Sequence, residues 1–336
     1  MTAEAAIRAL TALVVTAVLV PVILPLLRRS GVVDVPGARS SHTTVVPRGA
    51  GIAVMLGIIV AAVLPLGDGH RDRLMVAVVI GAAVLYAVVG FLDDLHDLGS
   101  VPRLVAQLVL GVAMTWPVTV LFNRGWEWVV LGALAAASYV NVTNFMDGLN
   151  GITGWHGVVT GTAYAAIGGY AGKDWMVVVG MALAGASLGF LPYNAVRAKV
   201  FLGDVGSYGI GATIAGLSGG GFLAGLPTEA CLGPLMIYLA DTGTTLVRRI
   251  SRGEDWREAH RSHVFQRLTD VGLSHAQVAL LVAGLTVLTT VLGAMSLLPD
   301  PNARLVGDAL IAVVLAGYLL LPTLLARRVR TRPAEG

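Results

Sequence analysis

Two adjacent aspartates are the first residues in the chain whose spacing suggests chemistry. The segment GFLDDLHD, residues 90–97, places Asp93 beside Asp94 and adds Asp97 three residues later. Because adjacent carboxylates repel each other, both stay ionised only near a cation. Clustered hard oxygens suit Mg²⁺, which takes one or two protein carboxylates and completes its shell with water and substrate phosphates. The segment predicts a magnesium-dependent phosphate site, and a solvated helix end is the alternative.

A second polar segment, NVTNFMDGLNG at residues 141–151, carries three asparagines, one aspartate and two glycines. Asparagine amides can bind a base edge or a sugar, and glycine lets a ligand approach the backbone. Asn144, Asp147 and Asn150 are therefore candidate substrate contacts. A polar turn with glycine caps is the alternative.

A third segment, LPYNAVRAKVFLGDVGS at residues 191–207, places Asp204 between two glycines. An aspartate in this position could hold a metal whose other ligands are phosphate oxygens. Phe201 could stack on a base. An N-cap formed by Asp204 or Ser207 is a structural explanation that is compatible with both.

Two longer segments supply cationic side chains. RRISRGEDWREAHRSHVFQRL, residues 248–268, holds His260 and His263 at a spacing that puts both on one helical face. Arginine and protonated histidine can offset the charge of a pyrophosphate. Binding to anionic lipids and simple positive-inside charge are the alternatives. No cysteine or third histidine lies at a spacing that suits zinc. Segment 33–51 is either a plain loop or a second source of phosphate contacts, namely Arg39, His42 and Arg48.

The composition places these segments in a membrane protein. Of the 336 residues, 56% are hydrophobic and 13% are charged, whereas about 25% are charged in soluble domains. Together with the mean hydropathy of +0.78, this excludes an ordinary soluble enzyme, a disordered protein and a secreted disulfide scaffold. The net charge of +3 comes without a nucleic-acid motif, so we expect no nucleic-acid partner.

Apolar runs predict an all-α polytopic membrane protein with about eleven transmembrane helices. The predicted runs are 5–27, 50–66, 74–92, 103–122, 127–143, 155–171, 174–192, 205–223, 230–247, 276–297 and 305–326. With the N-terminus outside and the C-terminus cytoplasmic, 17 of the 23 lysines and arginines fall in inside segments, as the positive-inside rule requires.

The same orientation collects the polar segments on one side. We expect a single transmembrane catalytic domain over residues 1–336, with its site on the cytoplasmic face. Its predicted cytoplasmic loops are 28–49, 93–102, 144–154, 193–204 and 248–275.

Two further polar residues have no obvious partner in the sequence. Asp241 lies inside the ninth run, where a carboxylate is costly and needs a partner. Its neighbouring threonines or water could supply one, namely Thr242, Thr244 or Thr245. His156 lies near the predicted cytoplasmic face without a clear partner.

The polar segments resemble those of a known enzyme superfamily. The segments, in chain order, are GFLDDLHD, NVTNFMDGLNG, PYN followed by FLGDVGS, and AHRSHVFQRL. In this order they resemble the signatures of the polyprenyl-phosphate N-acetylhexosamine-1-phosphate transferases. This superfamily, of the glycosyltransferase family 4 type, includes WecA, TagO and MraY. VDVPGARSSHTTVVPRGAG matches its first inside loop, so the resemblance spans residues 33–268. The eleven predicted spans resemble WecA-type members, since MraY has one fewer.

The resemblance implies an activity and its partners. Such enzymes transfer a sugar 1-phosphate from a UDP-N-acetylhexosamine to polyprenyl phosphate (undecaprenyl or decaprenyl phosphate), in the first membrane step of a cell-envelope polysaccharide pathway. The products are a polyprenyl-pyrophosphoryl sugar and UMP. The implied cofactor is Mg²⁺, or Mn²⁺ in its place. The implied location is the inner, cytoplasmic membrane, with the lipid bilayer as a partner and a homodimer left open.

The resemblance also assigns roles to single residues. Asp93 and Asp94 match the acidic pair, one assisting the attacking lipid phosphate and the other near the metal. Asp204 matches the magnesium-binding aspartate, Asp147 belongs to the nucleotide-side segment, and His263 matches the first residue of the histidine motif. The expected substrate contacts are Asn144, Asn150, Asn194, Phe201, His260, Arg261, Arg39, His42 and Arg48, with Asn194 touching the uridine diphosphate and Phe201 the uracil.

Two departures from the superfamily pattern bear on the sugar. Asn150 stands where MraY and WecA carry a second aspartate, and Val264, Phe265 and Gln266 follow His263 where many members have more histidines. We interpret both as signs of a sugar specificity unlike that of MraY, which argues against a muramyl-pentapeptide nucleotide.

Two rival functions remain open at this stage. An intramembrane prenyltransferase of the UbiA type should have two aspartate-rich motifs, and only 93–97 qualifies here. A polytopic transporter should carry its acids in mid-span, and only Asp241 does so.

Overall fold

Helices make up nearly all of the regular structure in this chain. A computed structural model describes residues 3–34, 45–64, 69–254 and 261–330. The predicted site residues Arg39, His42 and His260 lie outside the described residues.

Thirteen α-helices and one short hairpin occur in the described part of the chain. The helices are α1 Ala3–Ser30, α2 Gly51–Ala62, α3 His70–His96, α4 Ser100–Leu121, α5 Glu127–Met146, α6 Ile152–Tyr170, α7 Asp174–Asn194, α8 Asp204–Leu223, α9 Thr228–Leu232, α10 Met236–Ser251, α11 Val264–Asp270, α12 His275–Ala294 and α13 Pro301–Arg330. Strands β1 (Val33–Asp34) and β2 (Val46–Pro47) pair antiparallel.

The expectation of an all-α, multi-pass membrane protein is confirmed. Within the described ranges, eight helical segments are long and apolar enough to cross a bilayer, one of them formed by α9 and α10 together. A bilayer favours helices because they satisfy their backbone hydrogen bonds internally. Three more predicted runs also fall on helices, namely 50–66 on α2, 155–171 on α6 and 205–223 on α8. These three helices are not among the eight. Eleven spans and the stated orientation therefore stay predictions.

The glycine-rich helix α8 lies at the centre of the bundle, where nearly all of its residues are buried. It packs against α2, α3 and α5. Close approach explains the small residues: a Cβ on Gly90 of α3 would overlap the carbonyl oxygen of Asp204, and a Cβ on Gly51 of α2 would overlap Gly206. Small residues at helix contacts are typical of membrane bundles, where packing drives association.

The hairpin is attached to the segment that precedes α8. The amide of Phe201 donates to the carbonyl of Pro47 at 2.8 Å, and the amides of Gly49 and Ala50 donate to the Phe201 carbonyl at 3.1 and 3.0 Å. These bonds place Arg48, just after β2, beside the first residues of α8.

Candidate active site

Polar side chains from several elements line a cavity of about 310 Å³. We call it the polar cavity. Seven of the predicted site residues line it, namely Asp94, Asp147, Asp204, Asn144, Asn194, Phe201 and Arg48. These residues come from segments that are far apart in the sequence, and the packing of α3, α5, α7 and the hairpin around α8 brings them together.

Asp94, near the end of α3, is held by a backbone amide of α8 and by an arginine. The amide of Val205 donates to Asp94 Oδ2 at 3.1 Å. Arg48 donates from Nη2 to the Asp94 carbonyl at 2.8 Å, and its Nε lies 3.4 Å from Asp94 Oδ1. The carboxylate is therefore fixed at the N-terminus of α8, on the wall of the cavity.

Asp93 has different partners from Asp94. Its Oδ2 accepts from Arg103 Nη1 at 2.7 Å and from the Tyr208 hydroxyl at 3.0 Å, while the Leu98 amide donates to Oδ1 at 2.9 Å. Asp93 is not among the residues that line the polar cavity. It links α3 to α4 and α8 behind the cavity wall.

Asp204 is the first residue of α8. Its Oδ1 accepts from Asn144 Nδ2 at 2.8 Å, and the same amide lies 3.1 Å from Ser207 Oγ. The suggested N-cap is wrong: Gly203 is the capping residue and no side chain caps the helix. Glycine is required there because φ is 74° and a Cβ would lie 2.7 Å from Asp94 Oδ2.

The segment 144–151, which we call the donor loop, joins α5 to α6. Asn194 holds its end, because Oδ1 accepts from the Gly151 amide at 2.6 Å while Nδ2 donates to the Val200 carbonyl at 3.0 Å. Both the oxygen and the nitrogen of the Asn194 side-chain amide thus form hydrogen bonds with backbone groups. In the same loop, burial raises the pKa of Asp147 to about 7, the Thr153 side chain opposes this, and the charge of Asp94 adds to it.

Asn150 and Arg261 do not line the polar cavity. The amide nitrogen of Asn150 lies 3.5 Å from His275 Nδ1. Arg261 Nη2 lies 3.4 Å from Asp270 Oδ1. The structure therefore does not place these two residues at the cavity, and their contacts with substrate stay predictions.

Asp241 has partners other than the neighbouring threonines that the sequence suggested. It accepts hydrogen bonds at 2.9 and 3.0 Å from the amides of Val264 and Phe265, and its Oδ2 accepts from the Tyr318 hydroxyl at 2.7 Å. His263 Nδ1 lies 3.0 Å from Asp241 Oδ1. Asp241 thus anchors the start of α11, which carries the histidine motif.

Two polar side chains of the cavity wall are absent from the sequence-based prediction. Asp34 of β1 and Gln266 of α11 both line the polar cavity. For Gln266, a signal was present in the sequence, because it stands in the histidine motif at a position where the motif departs from the superfamily pattern. Asp34 is the second residue of the first inside loop, 33–51, and gave no comparable signal.

The donor set fits a hard cation. Among the described residues, Asp94 Oδ1 is buried without a hydrogen-bond partner, although Arg48 Nε lies 3.4 Å away, and Asp204 lines the same cavity. No three His, Cys, Asp or Glu side chains converge to hold a metal in the described part of the chain. Asp94 and Asp204 could therefore hold Mg²⁺ only together with water or substrate phosphates, which is its usual coordination.

An apolar cavity of about 350 Å³ lies between α4, α5, α8 and the α9–α10 segment. Its wall includes Trp128, Tyr139, Phe222 and Leu235. An apolar surface of this kind can accommodate part of a hydrocarbon chain.

Comparisons with known proteins agree with the motifs. Residues 76–220 match the model of glycosyl transferase family 4. The chain is 30% identical over 297 residues to a probable undecaprenyl-phosphate N-acetylglucosaminyl 1-phosphate transferase of Bacillus subtilis, covering 83% of this chain and 82% of the relative. It is also 30% identical over 369 residues to a decaprenyl-phosphate N-acetylglucosaminephosphotransferase of Mycobacterium tuberculosis, covering 96% and 90%.

A second kind of relative matches over a shorter stretch. A phospho-N-acetylmuramoyl-pentapeptide-transferase of Moorella thermoacetica is 31% identical over 269 residues, covering 71% of this chain and 81% of the relative. Given the ordered motifs, the family model and relatives of this identity and coverage, the chain belongs to the polyprenyl-phosphate N-acetylhexosamine-1-phosphate transferase superfamily, glycosyl transferase family 4.

Proposed function

We propose that the protein transfers an N-acetylhexosamine 1-phosphate from a UDP-sugar to polyprenyl phosphate. The observation that carries this proposal is the convergence of Asp94, Asp204 and Asn144 on one polar cavity in a helical membrane bundle. The apolar cavity supports a lipid acceptor. The relatives at about 30% identity are named as transferases of this kind.

The reaction exchanges one phosphoanhydride bond for another. An oxygen of the lipid phosphate attacks the phosphorus that carries the sugar, and the bond from that phosphorus to UMP breaks. The lipid phosphate is already a nucleophile, so positioning and charge neutralisation dominate over general-base catalysis. UMP leaves as a phosphate anion and needs no added proton.

The cavity residues divide this work. Asp94 and Asp204 would hold Mg²⁺, which would neutralise the pyrophosphate of the donor. Arg48 fixes Asp94 through its two contacts, and Asn144 fixes Asp204. Phe201 lines the cavity where an aromatic ring could stack on uracil.

The cavity also bears on the donor and on the side of the membrane. Gln266 presents a neutral amide to the cavity, which suits the hydroxyl and acetamido groups of an uncharged sugar better than the peptide carboxylates of a muramyl-pentapeptide nucleotide. The bias of basic residues supports a cytoplasmic site in the inner membrane. The product would begin a cell-envelope polysaccharide.

The test is UMP release by purified protein in detergent with polyprenyl phosphate, Mg²⁺ and a panel of UDP-N-acetylhexosamines. We expect UMP only when lipid, metal and one donor are all present, and none after chelation. Prenyl transfer from a prenyl pyrophosphate, with no UMP from any donor, would instead establish the UbiA-type reaction.

Asp204→Asn is the variant that tests whether Asp204 binds the metal. The amide keeps the size of the side chain but removes its charge, so we expect turnover to fall by about 10²–10³ in protein that remains folded and membrane-inserted. Near-normal turnover of Asp204→Asn would contradict the metal assignment.

A further inference from the structure

A buried aromatic cluster adjoins the donor loop. His156 is 1% exposed, and both Tyr139 and Tyr238 are buried as well. The imidazole of His156 stacks on the Tyr238 ring at a centroid distance of 3.7 Å and an interplanar angle of 11°. A hydrogen bond of 2.7 Å joins His156 Nε2 to the Tyr139 hydroxyl.

Each ring of the cluster belongs to a different helix, and each helix adjoins or anchors a segment that lines the polar cavity. Tyr139 lies on α5, which ends in the donor loop after Asn144. His156 lies in α6, directly after the donor loop. Tyr238 lies on α10 one turn before Asp241, the anchor of α11. The cluster therefore joins three helices, α5, α6 and α10, that lie next to the segments lining the cavity.

A further contact closes the cluster onto the loop. The Tyr238 hydroxyl donates to the carbonyl of Ile152, the first residue of α6, at 3.2 Å. Gly151, immediately before it, is the residue whose amide Asn194 holds. The position of the donor loop thus depends on α10 through Tyr238 and on α7 through Asn194.

The choice of histidine at this site has a physical cost. A polar ring in the interior is unfavourable unless its nitrogens are bonded, and among the described residues His156 Nδ1 has no partner. Phenylalanine could keep the stack on Tyr238 without that cost. What histidine adds is the directional bond to Tyr139, which sets the distance between α5 and α6 on either side of the donor loop.

We infer that His156 is a positioning residue. Through Tyr139 and Tyr238, it fixes the position of the donor loop relative to the histidine-motif segment. The inference rests on the proposed transferase function. It assigns His156 no contact with substrate. The residue acts by fixing where Asn144 and Asp147 lie relative to Asp204.

The test compares His156→Phe and Tyr139→Phe, which remove the same hydrogen bond from opposite sides. Tyr164→Phe is the control, because Tyr164 lies on the same helix, is fully buried and donates to the Cys231 carbonyl at 2.6 Å. For each variant the experiment measures kcat and KM for the UDP-sugar and the melting temperature in detergent.

We expect His156→Phe to lower kcat/KM about tenfold or more, since a shift of about 1 Å in a positioned group can cost about 10² in rate. Tyr164→Phe should lower the melting temperature at least as much with kcat/KM within about twofold of wild type. Combining His156→Phe with Tyr139→Phe should cost no more than the worse single variant, because both remove one interaction.

Two results would overturn the inference. In one, His156→Phe and Tyr164→Phe change kcat/KM equally, so that the cluster only stabilises the fold. In the other, the losses from His156→Phe and Tyr139→Phe simply multiply. Absence of UMP release by the wild-type protein would count against the proposed function instead, so the two failures are distinguishable.

Discussion

Gln266 is the residue whose substitution best tests donor recognition. Its side chain lines the polar cavity, and its Oε1 accepts from the His263 amide at 3.3 Å. A neutral hydrogen bond is worth about 0.5–1.5 kcal/mol. We therefore expect Gln266→Ala to raise KM for the UDP-sugar about three- to tenfold while kcat changes little, as measured by initial rates of UMP release.

Gln266→Glu is the control for charge. It keeps the carbonyl-type acceptor for the His263 amide but places an anion near the donor pyrophosphate, so KM should rise further than with Gln266→Ala. Unchanged KM in both variants would show that Gln266 has no contact with the donor.

For single residues, the sequence was enough to predict which side chains could do chemistry, but not which partners they contact. Asp94, Asn144 and Asp204 could be found because each stands in a short polar segment within an apolar chain, where such residues are costly. The partners of Asp241 could not, because they come from α11 and α13, and only the tertiary packing brings His263 and Tyr318 to it.

Among the elements, the contact of α3 with α8 controls the position of Asp204. A Cβ on Gly90 would overlap the Asp204 carbonyl oxygen, so Gly90→Ala must displace the start of α8. We expect UMP release to fall at least tenfold. Gly81→Ala lies on the same helix, where a Cβ would meet nothing within 4 Å, and it should leave the rate unchanged. Equal rates for both variants would contradict this role of the contact.

The anchoring of α11 gives a second prediction for an element. Asp241 is fully buried and accepts four hydrogen bonds, and bonds to a charged group are worth about 1.5–3 kcal/mol each. Asp241→Asn should therefore lower both the melting temperature and UMP release. Tyr318→Phe, which removes one of the four bonds, should have a smaller effect on both. A wild-type melting temperature for Asp241→Asn would exclude the anchor.

The elements themselves could be predicted mainly where the apolar signal is long. All eleven predicted runs fall on helices, but the break between α9 and α10 at Gly233–Leu235 and the two-residue strands were not predicted. Elements this short are determined by contacts such as that of Phe201 with Pro47, which leave no periodic pattern in the sequence.

For the whole molecule, the open question is which helices cross the membrane, because the side of the polar cavity depends on their number. Eleven crossings put the two termini on opposite sides and all five polar segments on one side. If any of α2, α6 and α8 failed to cross, the polar segments after it would move to the opposite face. If α6 were the one that failed, the donor loop and Asp204 would lie on different sides, although Asn144 Nδ2 and Asp204 Oδ1 are 2.8 Å apart.

Accessible cysteines test this prediction helix by helix. Cys231 is the only native cysteine and is 2% exposed, so Cys231→Ala gives a background in which single cysteines can be placed at polar or charged positions in loops or at helix ends. The positions are Arg29, Arg71, Arg124, Lys173, Arg197 and Thr228. In intact cells, a membrane-impermeant thiol reagent should label cysteines at Arg71, Arg124, Lys173 and Thr228. Those at Arg29 and Arg197 should react only after permeabilisation.

Each pair of positions isolates one helix. Arg29 and Arg71 flank α2, Arg197 and Thr228 flank α8, and Arg124 with Lys173 flank α5 and α6 together. Equal labelling across α2 or α8 would show that this helix does not cross. Because α5 is itself long and apolar enough to cross, opposite labelling at Arg124 and Lys173 would exclude a crossing by α6. The predicted pattern would place the polar cavity at the cytoplasmic end of the bundle, where a UDP-sugar is available.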